Sequence, residues 1–235
     1  MRTIGLIGGM SWESSALYYR LVNEGVRDAL GGQHSARLVM VSLDFADIAR
    51  LQHVGDWPAL EREMVAAART LERAGAQAIV LCTNTMHLLA PAMEEATAIP
   101  LLHIADAAGE ALAAAGIVHA GLLGTAFTME QAFYRDRLAS RWGIETIVPD
   151  AADRLTVHRI IYDELVRGVV TDASRLAYRD VMARLVARGS GGIVLGCTEI
   201  GLLVDAGDAA VPLFDTTPLH AAAAVRFALT PPTGT

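Results

Sequence analysis

Two thiols, flanked by hydroxyl, amide and carboxyl side chains, set the chemistry open to this sequence. Cys197 follows Gly196 at the end of the apolar run Gly192–Leu195 and is succeeded by Thr198 and Glu199, a polar surround for a thiol. Cys82 closes the run Ala78–Cys82 and is followed by Thr83, Asn84 and Thr85. The two segments align without a gap. Ile79-Val80-Leu81-Cys82-Thr83-Asn84 lies over Ile193-Val194-Leu195-Gly196-Cys197-Thr198, so Cys197 is matched by Thr83 and not by Cys82. Side chains alternate along a strand. If Thr83 and Cys197 point the same way from equivalent strand ends, Cys82 turns into its own domain, as free cysteines commonly do. A thiol, with a reference pKa near ~8.5, is readily tuned to give or take a proton at neutral pH. A threonine hydroxyl is a far weaker acid. No Cys/His spacing matches a zinc site, so no metal is expected.

The elements that must position these residues alternate between strand and helix. Apolar runs at Thr3–Gly8, Arg37–Ser42, Ala78–Cys82, Pro100–Leu102, His119–Gly124, Glu145–Val148, Gly192–Leu195 and Val211–Phe214 read as strands. They are continuous rather than alternating, which suits parallel strands buried on both faces. Helices are expected over Trp12–Leu30, with Ser11 as cap, and over Trp57–Ala74, Met86–Ala96, Met129–Trp142, Ala152–Val166, Thr171–Arg188 and Pro218–Leu229, with another ending near Ala115. The tail TPPTGT is expected to be loose. The chain also repeats itself in order. Ile4–Gly9 resembles Ala120–Thr125, Ala78–Thr85 resembles Gly192–Glu199, and Ile99–Asp106 resembles Val211–Pro218. The fold expected is therefore α/β with two similar domains, each holding a parallel four-stranded sheet flanked by helices. One domain would comprise residues 1–103 plus 215–235 and the other 104–214. Each repeat falls at the carboxyl end of a strand, where open α/β sheets place ligands, so the active site is expected in the cleft between the domains.

These residues resemble the aspartate/glutamate racemase family. Its pattern has Cys-Asn-Thr-x-His in the first half and Gly-Cys-Thr-Glu in the second; here stand Thr83-Asn84-Thr85-Met86-His87 and Gly196-Cys197-Thr198-Glu199. The opening IGLIGGM continued as SWES, Asp106 after IPLLHIA, and GTAFTMEQ extend the likeness over about residues 2–229. They point to the aspartate/glutamate-specific or broad-specificity subgroup. The resemblance implies an isomerase that uses no pyridoxal phosphate or other cofactor. Such enzymes place one cysteine on each face of the amino-acid α-carbon: one takes the α-proton and the other returns one. It implies Cys197 and Thr83 as the catalytic pair, with Thr83 in the place of a family cysteine and hence unequal turnover in the two directions. Charge builds on the substrate carboxylate, and backbone N–H donors at helix starts stabilise it. Met10, Ser11, Asn84, Thr85, Thr198 and Glu199 are placed to serve, and Gln52 and Thr125 match substrate-contact positions of the subgroup. Glu164 lies in a segment in which some aspartate-specific relatives carry a lysine that pairs with the side-chain carboxylate. If its carboxylate enters the site, it disfavours an acidic side chain unless Arg50, Arg159 or Arg167 reverses the balance. His87 is expected one turn into a helix, capping, packing or touching substrate; His103 and Asp215 occupy matched strand ends, each able to orient a neighbour; and Glu199 is an expected hydrogen-bond partner of the substrate amine or the thiol. A homodimer is a further implication.

Composition narrows the field. The 235 residues are 53% hydrophobic and 19% charged, which gives a sizeable core and excludes intrinsic disorder. A net charge of −7 without a basic run argues against nucleic-acid binding. No apolar stretch reaches the ~18 residues of a membrane span, and MRTIGLIGGM does not read as a signal peptide, so a cytoplasmic protein is expected. The segment GLIGGM is not GxGxxG, which argues against a dinucleotide site. Two rivals to racemisation stay open. One is a malonate-type decarboxylase, which needs one thiol to protonate a carbanion, or another isomerase of the same superfamily. The other is a non-catalytic amino-acid-binding protein, which needs no thiol.

Overall fold

The computed structural model describes residues 1–231; residues 232–235 of the tail TPPTGT lie outside the described residues. The chain forms two compact units, Met1–His103 with the segment from His220 onward, and Ile104–Leu219. The first unit runs β1 (Ile4–Gly8), α1 (Trp12–Leu30), β2 (Leu38–Ser42), α2 (Phe45–Val54), α3 (Trp57–Arg73), β3 (Ala78–Leu81), a 3-10 turn (Thr85–Leu89), α4 (Ala90–Ala96) and β4 (Leu101–Leu102). The second runs α5 (Ile104–Ala114), β5 (His119–Gly124), α6 (Ala126–Glu130), α7 (Ala132–Trp142), β6 (Glu145–Ile147), α8 (Ala151–Asp163), α9 (Asp172–Ala187), β7 (Gly192–Gly196) and β8 (Leu213–Asp215), and α10 (Thr216–Leu229) follows. Each unit holds a parallel sheet, in the order β2-β1-β3-β4 and β6-β5-β7-β8. The two orders are the same when matched strand by strand, as the internal repeat requires.

Alternation sorts each buried strand between two cores. On β3, Ile79 and Leu81 pack with α2, α3 and α4, whereas Ala78 and Val80, with Cys82 just beyond, pack with α1 and α10. On β7, Ile193 and Leu195 pack against α8 and α9 with Cys197, and Val194 packs against α5 and α7. Every residue of β1, β3 and β7 is buried, which is why these runs show no polar alternation.

Several helices differ from the expected spans for local reasons. The helix expected over Met86–Ala96 is a 3-10 turn followed by α4, and Pro91, in the first turn of α4, removes the N–H that a continuous helix would use. The one expected over Met129–Trp142 is two, α6 and α7, separated by extended Gln131. Helix α2 has no counterpart among the expected elements. Asp44 caps it by accepting from the Ala46 N–H at 2.9 Å, and Gly55 ends it in the left-handed region at φ 72°. The expected junction at residue 215 falls instead within α10. Leu219 packs in the second unit, whereas Ala221, Ala224 and Ala228 pack in the first. Ser11, Asp56, Asp150 and Thr171 cap α1, α3, α8 and α9, each cap contributing about 1 kcal/mol.

Candidate active site

Strand β7 delivers Cys197 to its position. In the parallel register Gly124 on β5 faces Gly196 on β7, so Thr125 and Cys197 each stand one residue past paired strand ends. The strands approach too closely there for side chains. A Cβ on Gly124 would lie 2.9 Å from the Gly196 carbonyl, and one on Gly196 would lie 2.9 Å from the Leu123 carbonyl, with Thr128 against both. Thr125 caps the short helix α6 by accepting from the Thr128 N–H at 3.4 Å.

The thiol of Cys197 donates to Glu199 Oε2 at 2.9 Å, and Thr198 Oγ1 donates to the same oxygen at 2.7 Å. Cys197 and Glu199 are both 8% exposed. Burial pushes the thiol well above its ordinary range; the charge of Glu199, the thiol's hydrogen bond to it and the charge of Asp215 push the same way, while the Glu199 backbone N–H opposes. Asp215, at the end of β8, is itself raised to about 6 by burial, against the Thr217 N–H that bonds it at 2.9 Å. Its other oxygen occupies the space a Cβ on Gly201 would need. Tyr162 on α8 is pushed up to about 12, first by burial and then by the charges of Cys197 and Glu199. The thiol thus sits among acids, in a field that holds its proton and favours a cation nearby.

Thr83 occupies the equivalent place in the first unit. It follows β3, and its carbonyl accepts from His87 Nδ1 at 2.8 Å. His87 sits at ring-centroid distances of 4.5 Å from His103 and 5.7 Å from His220. His220 Nε2 donates to the Leu102 carbonyl at 2.6 Å, so its Nδ1 accepts from the Tyr18 hydroxyl at 2.9 Å. Cys82 is fully buried in the core beside α1 and α10, and burial pushes its thiol far up. Gly8–Ser11 makes the tight passage from β1 to α1. The Gly9 N–H bonds Ser15 Oγ at 2.8 Å, and Gly9, at φ 87°, lies so close to the backbone of Leu43 that a Cβ has no room. Met10, Ser11, Asn84 and Thr85 are all buried at the carboxyl ends of β1 and β3. Gln52 is buried on the last turn of α2. Glu164 has its Oε2 engaged by Ser174 Oγ at 2.5 Å and Thr171 Oγ1 at 3.3 Å, at the start of α9. Its carboxylate therefore serves the α8–α9 junction.

Three polar residues of the second unit gained no weight from the sequence: Tyr162, His158 and, as a neighbour of the thiol, Asp215. Tyr162 and His158 lie far from Cys197 in the chain and belong to no motif, so only the packing of α8 brings them in. Asp215 was marked by its place in the repeat opposite His103. Among the described residues no group of three or more His, Cys, Asp or Glu side chains is arranged to hold a metal ion.

Residues 7–224 match the model of the Asp/Glu/hydantoin racemase family. The chain belongs to this family. The match takes in every residue nominated above for the site. A crystal structure described as a candidate Asp/Glu racemase from Yersinia pestis is 53% identical, with a TM-score of 0.93 over 98% of this chain and 100% of that one. An aspartate racemase homologue from Pyrococcus horikoshii is 31% identical, with a TM-score of 0.85 over 98% of this chain and 100% of that one. Picrophilus torridus aspartate racemase, 20% identical, shares the fold at a TM-score of 0.76 over 97% and 94% of the two chains. The racemase fold of two parallel four-stranded sheets flanked by helices is thus the fold of this chain.

Proposed function

We propose that this chain is a cofactor-independent amino-acid racemase acting on aspartate, glutamate or a broader set. Cys197 is its acid/base on one face of the α-carbon, and Thr83 stands in the place of the other family cysteine. The observation that carries this reading is the bond of 2.9 Å from the Cys197 thiol to Glu199. A raised thiol is a poor base at rest, and Glu199 is placed to take its proton. The acidic surround of Glu199 and Asp215 favours a guest that brings a cation, and the α-ammonium of an amino acid is one. With the thiol proton on Glu199, Sγ takes the α-proton and the electron pair moves into the substrate carboxylate. A proton delivered to the opposite face through Thr83, directly or by a water it holds, gives the other enantiomer as the electron pair returns to the α-carbon; solvent then reprotonates the Thr83 side and takes the proton from Glu199. Met10, Ser11, Gln52, Asn84, Thr85, Thr125 and Thr198 are the proposed substrate-binding residues.

Glu199→Gln keeps a hydrogen-bond acceptor and removes the base. Followed by polarimetry, it is expected to lower kcat about 10²-fold, and Cys197→Ala to abolish turnover. Wild-type turnover in either variant contradicts the assignment. A one-thiol decarboxylation is the second reading, favoured by the burial of Cys82 in the core, which leaves Cys197 as the one thiol next to an acid. Release of CO2 from a malonate, with no change in any amino acid, would establish it. Cytoplasmic residence and a homodimer complete the proposal. Sedimentation at a mass near 24.9 kDa would contradict the dimer.

A further inference from the structure

Helix α8 carries a histidine that no motif marks. His158 Nδ1 accepts from the Ala126 backbone N–H at 3.1 Å, a contact between residues 32 apart in sequence. Ala126 opens α6 directly after Thr125, and Thr125 stands beside Cys197 at the paired ends of β5 and β7. The ring of His158 lies 4.7 Å from that of Tyr162, whose hydroxyl feels the charges of Cys197 and Glu199. Along the same face runs a hollow of about 360 Å³ that also takes in Leu155, Arg159 and Asp163. The accepting role fixes the tautomer: Nδ1 bears no proton and Nε2 does.

We propose that His158 is a positioning residue of the racemase site, whose unprotonated Nδ1 clamps the Thr125–Ala126 turn in register beside Cys197. The inference rests on the racemase reading for its kinetic consequence, but the clamp itself is a property of the free protein. An imidazolium has no acceptor, so protonation releases the Ala126 N–H and turns two donors toward each other. The groups facing His158 are Glu130 at the end of α6, which is paired with Arg154 of α8 at 3.0 Å, together with Tyr162 and Asp163 of α8 itself. Burial lowers the His158 pKa, and the charges of Glu130 and Asp163 oppose without reversing it. The clamp therefore holds at neutral pH and opens on the acid side of the ordinary histidine range.

The test uses two variants of the full chain. In His158→Asn the amide oxygen can take the place of Nδ1 and cannot titrate; His158→Leu fills the space without an acceptor. Amide hydrogen exchange at Ala126, read without substrate, should be slow in the wild type and in H158N and faster by about tenfold in H158L, the worth of one hydrogen bond. In racemisation assays H158L should lose about tenfold in kcat/KM at neutral pH. H158N should recover most of that loss and carry its acid limb to lower pH than the wild type. Equal exchange at Ala126 in all three proteins overturns the clamp. An active wild type matched by an equally active H158L overturns its role in the site. A wild type with no turnover of any amino acid instead sinks the racemase reading, and the positioning role falls with it, whatever the exchange at Ala126 shows.

Discussion

At the scale of the residue, the proposed chemistry turns on an unequal pair, one thiol and one hydroxyl. The Cys197 thiol, pushed up by burial, donates a hydrogen bond to Glu199. Thr83 has a hydroxyl of far lower acidity and its carbonyl tied to His87. Because the enantiomers are equal in free energy, kcat/KM must be the same in both directions, so unequal kcat values must be matched by unequal KM values. Thr83→Cys restores a thiol on the second face. It is expected to raise the slower kcat by about tenfold or more and bring the two kcat values together, as read by chiral chromatography from each enantiomer. A variant with unchanged asymmetry would contradict the role given to Thr83. The inward turn of Cys82 was legible in the sequence, because the ungapped match of the two strand ends sets Thr83 and not Cys82 against Cys197. The acid surround of the thiol was legible in part. Thr198 and Glu199 adjoin it in the chain, but Asp215 and Tyr162 come to it only through β8 and α8.

At the scale of the element, the close approach of β5 and β7 governs the site. Gly124 and Gly196 leave no space for a methyl group between the strands or against Thr128. Gly196→Ala is expected to cost about 1–3 kcal/mol in urea unfolding, and to lower turnover further by displacing Cys197. A variant of wild-type stability and activity would show that the approach is not tight. The long strands were legible because apolar runs buried on both faces carry a strong signal, and His119–Gly124 has the expected bounds. Helix α2 was not legible. Its ten residues end at Val54, and only Gly55 separates them from the Asp56 cap of α3, so no long break in the sequence marks where one helix ends and the next begins. Glu164 shows the converse limit. Its place in a segment where some aspartate-specific relatives carry a lysine supported a specificity argument, but Ser174 and Thr171 hold its carboxylate at the α8–α9 junction.

At the scale of the whole molecule, two buried groups contribute to the acid stability in opposite senses. His220 is fully buried and its pKa is lowered to about 4 by that burial, against the Leu102 carbonyl, which raises it. Unfolded, it titrates near ~6.5, so between these values the unfolded chain binds more protons and stability falls with falling pH, by about 3 kcal/mol in all. Asp215, raised to about 6, works in the opposite sense: the folded chain holds its proton down toward ~3.9, and stability rises as pH falls through that window. The two largely offset one another between pH ~4 and ~6. Asp215→Asn removes the counterweight, so its denaturation midpoint should fall more steeply with acid than that of the wild type. Equal slopes would contradict the burial of one group or the other. The two-unit architecture was legible from the repeats, whereas the buried cluster of His87, His103, His220 and Tyr18 joins parts of the chain that no pattern relates. The central claim, α-proton exchange by Cys197 without a cofactor, is tested most directly in D2O. The purified chain would be incubated with each L and D amino acid, beside Cys197→Ala, and the products resolved by chiral chromatography with mass detection. The account predicts product of inverted configuration carrying one deuterium, absent from the variant. No exchange with any amino acid, or exchange that survives in Cys197→Ala, would contradict it.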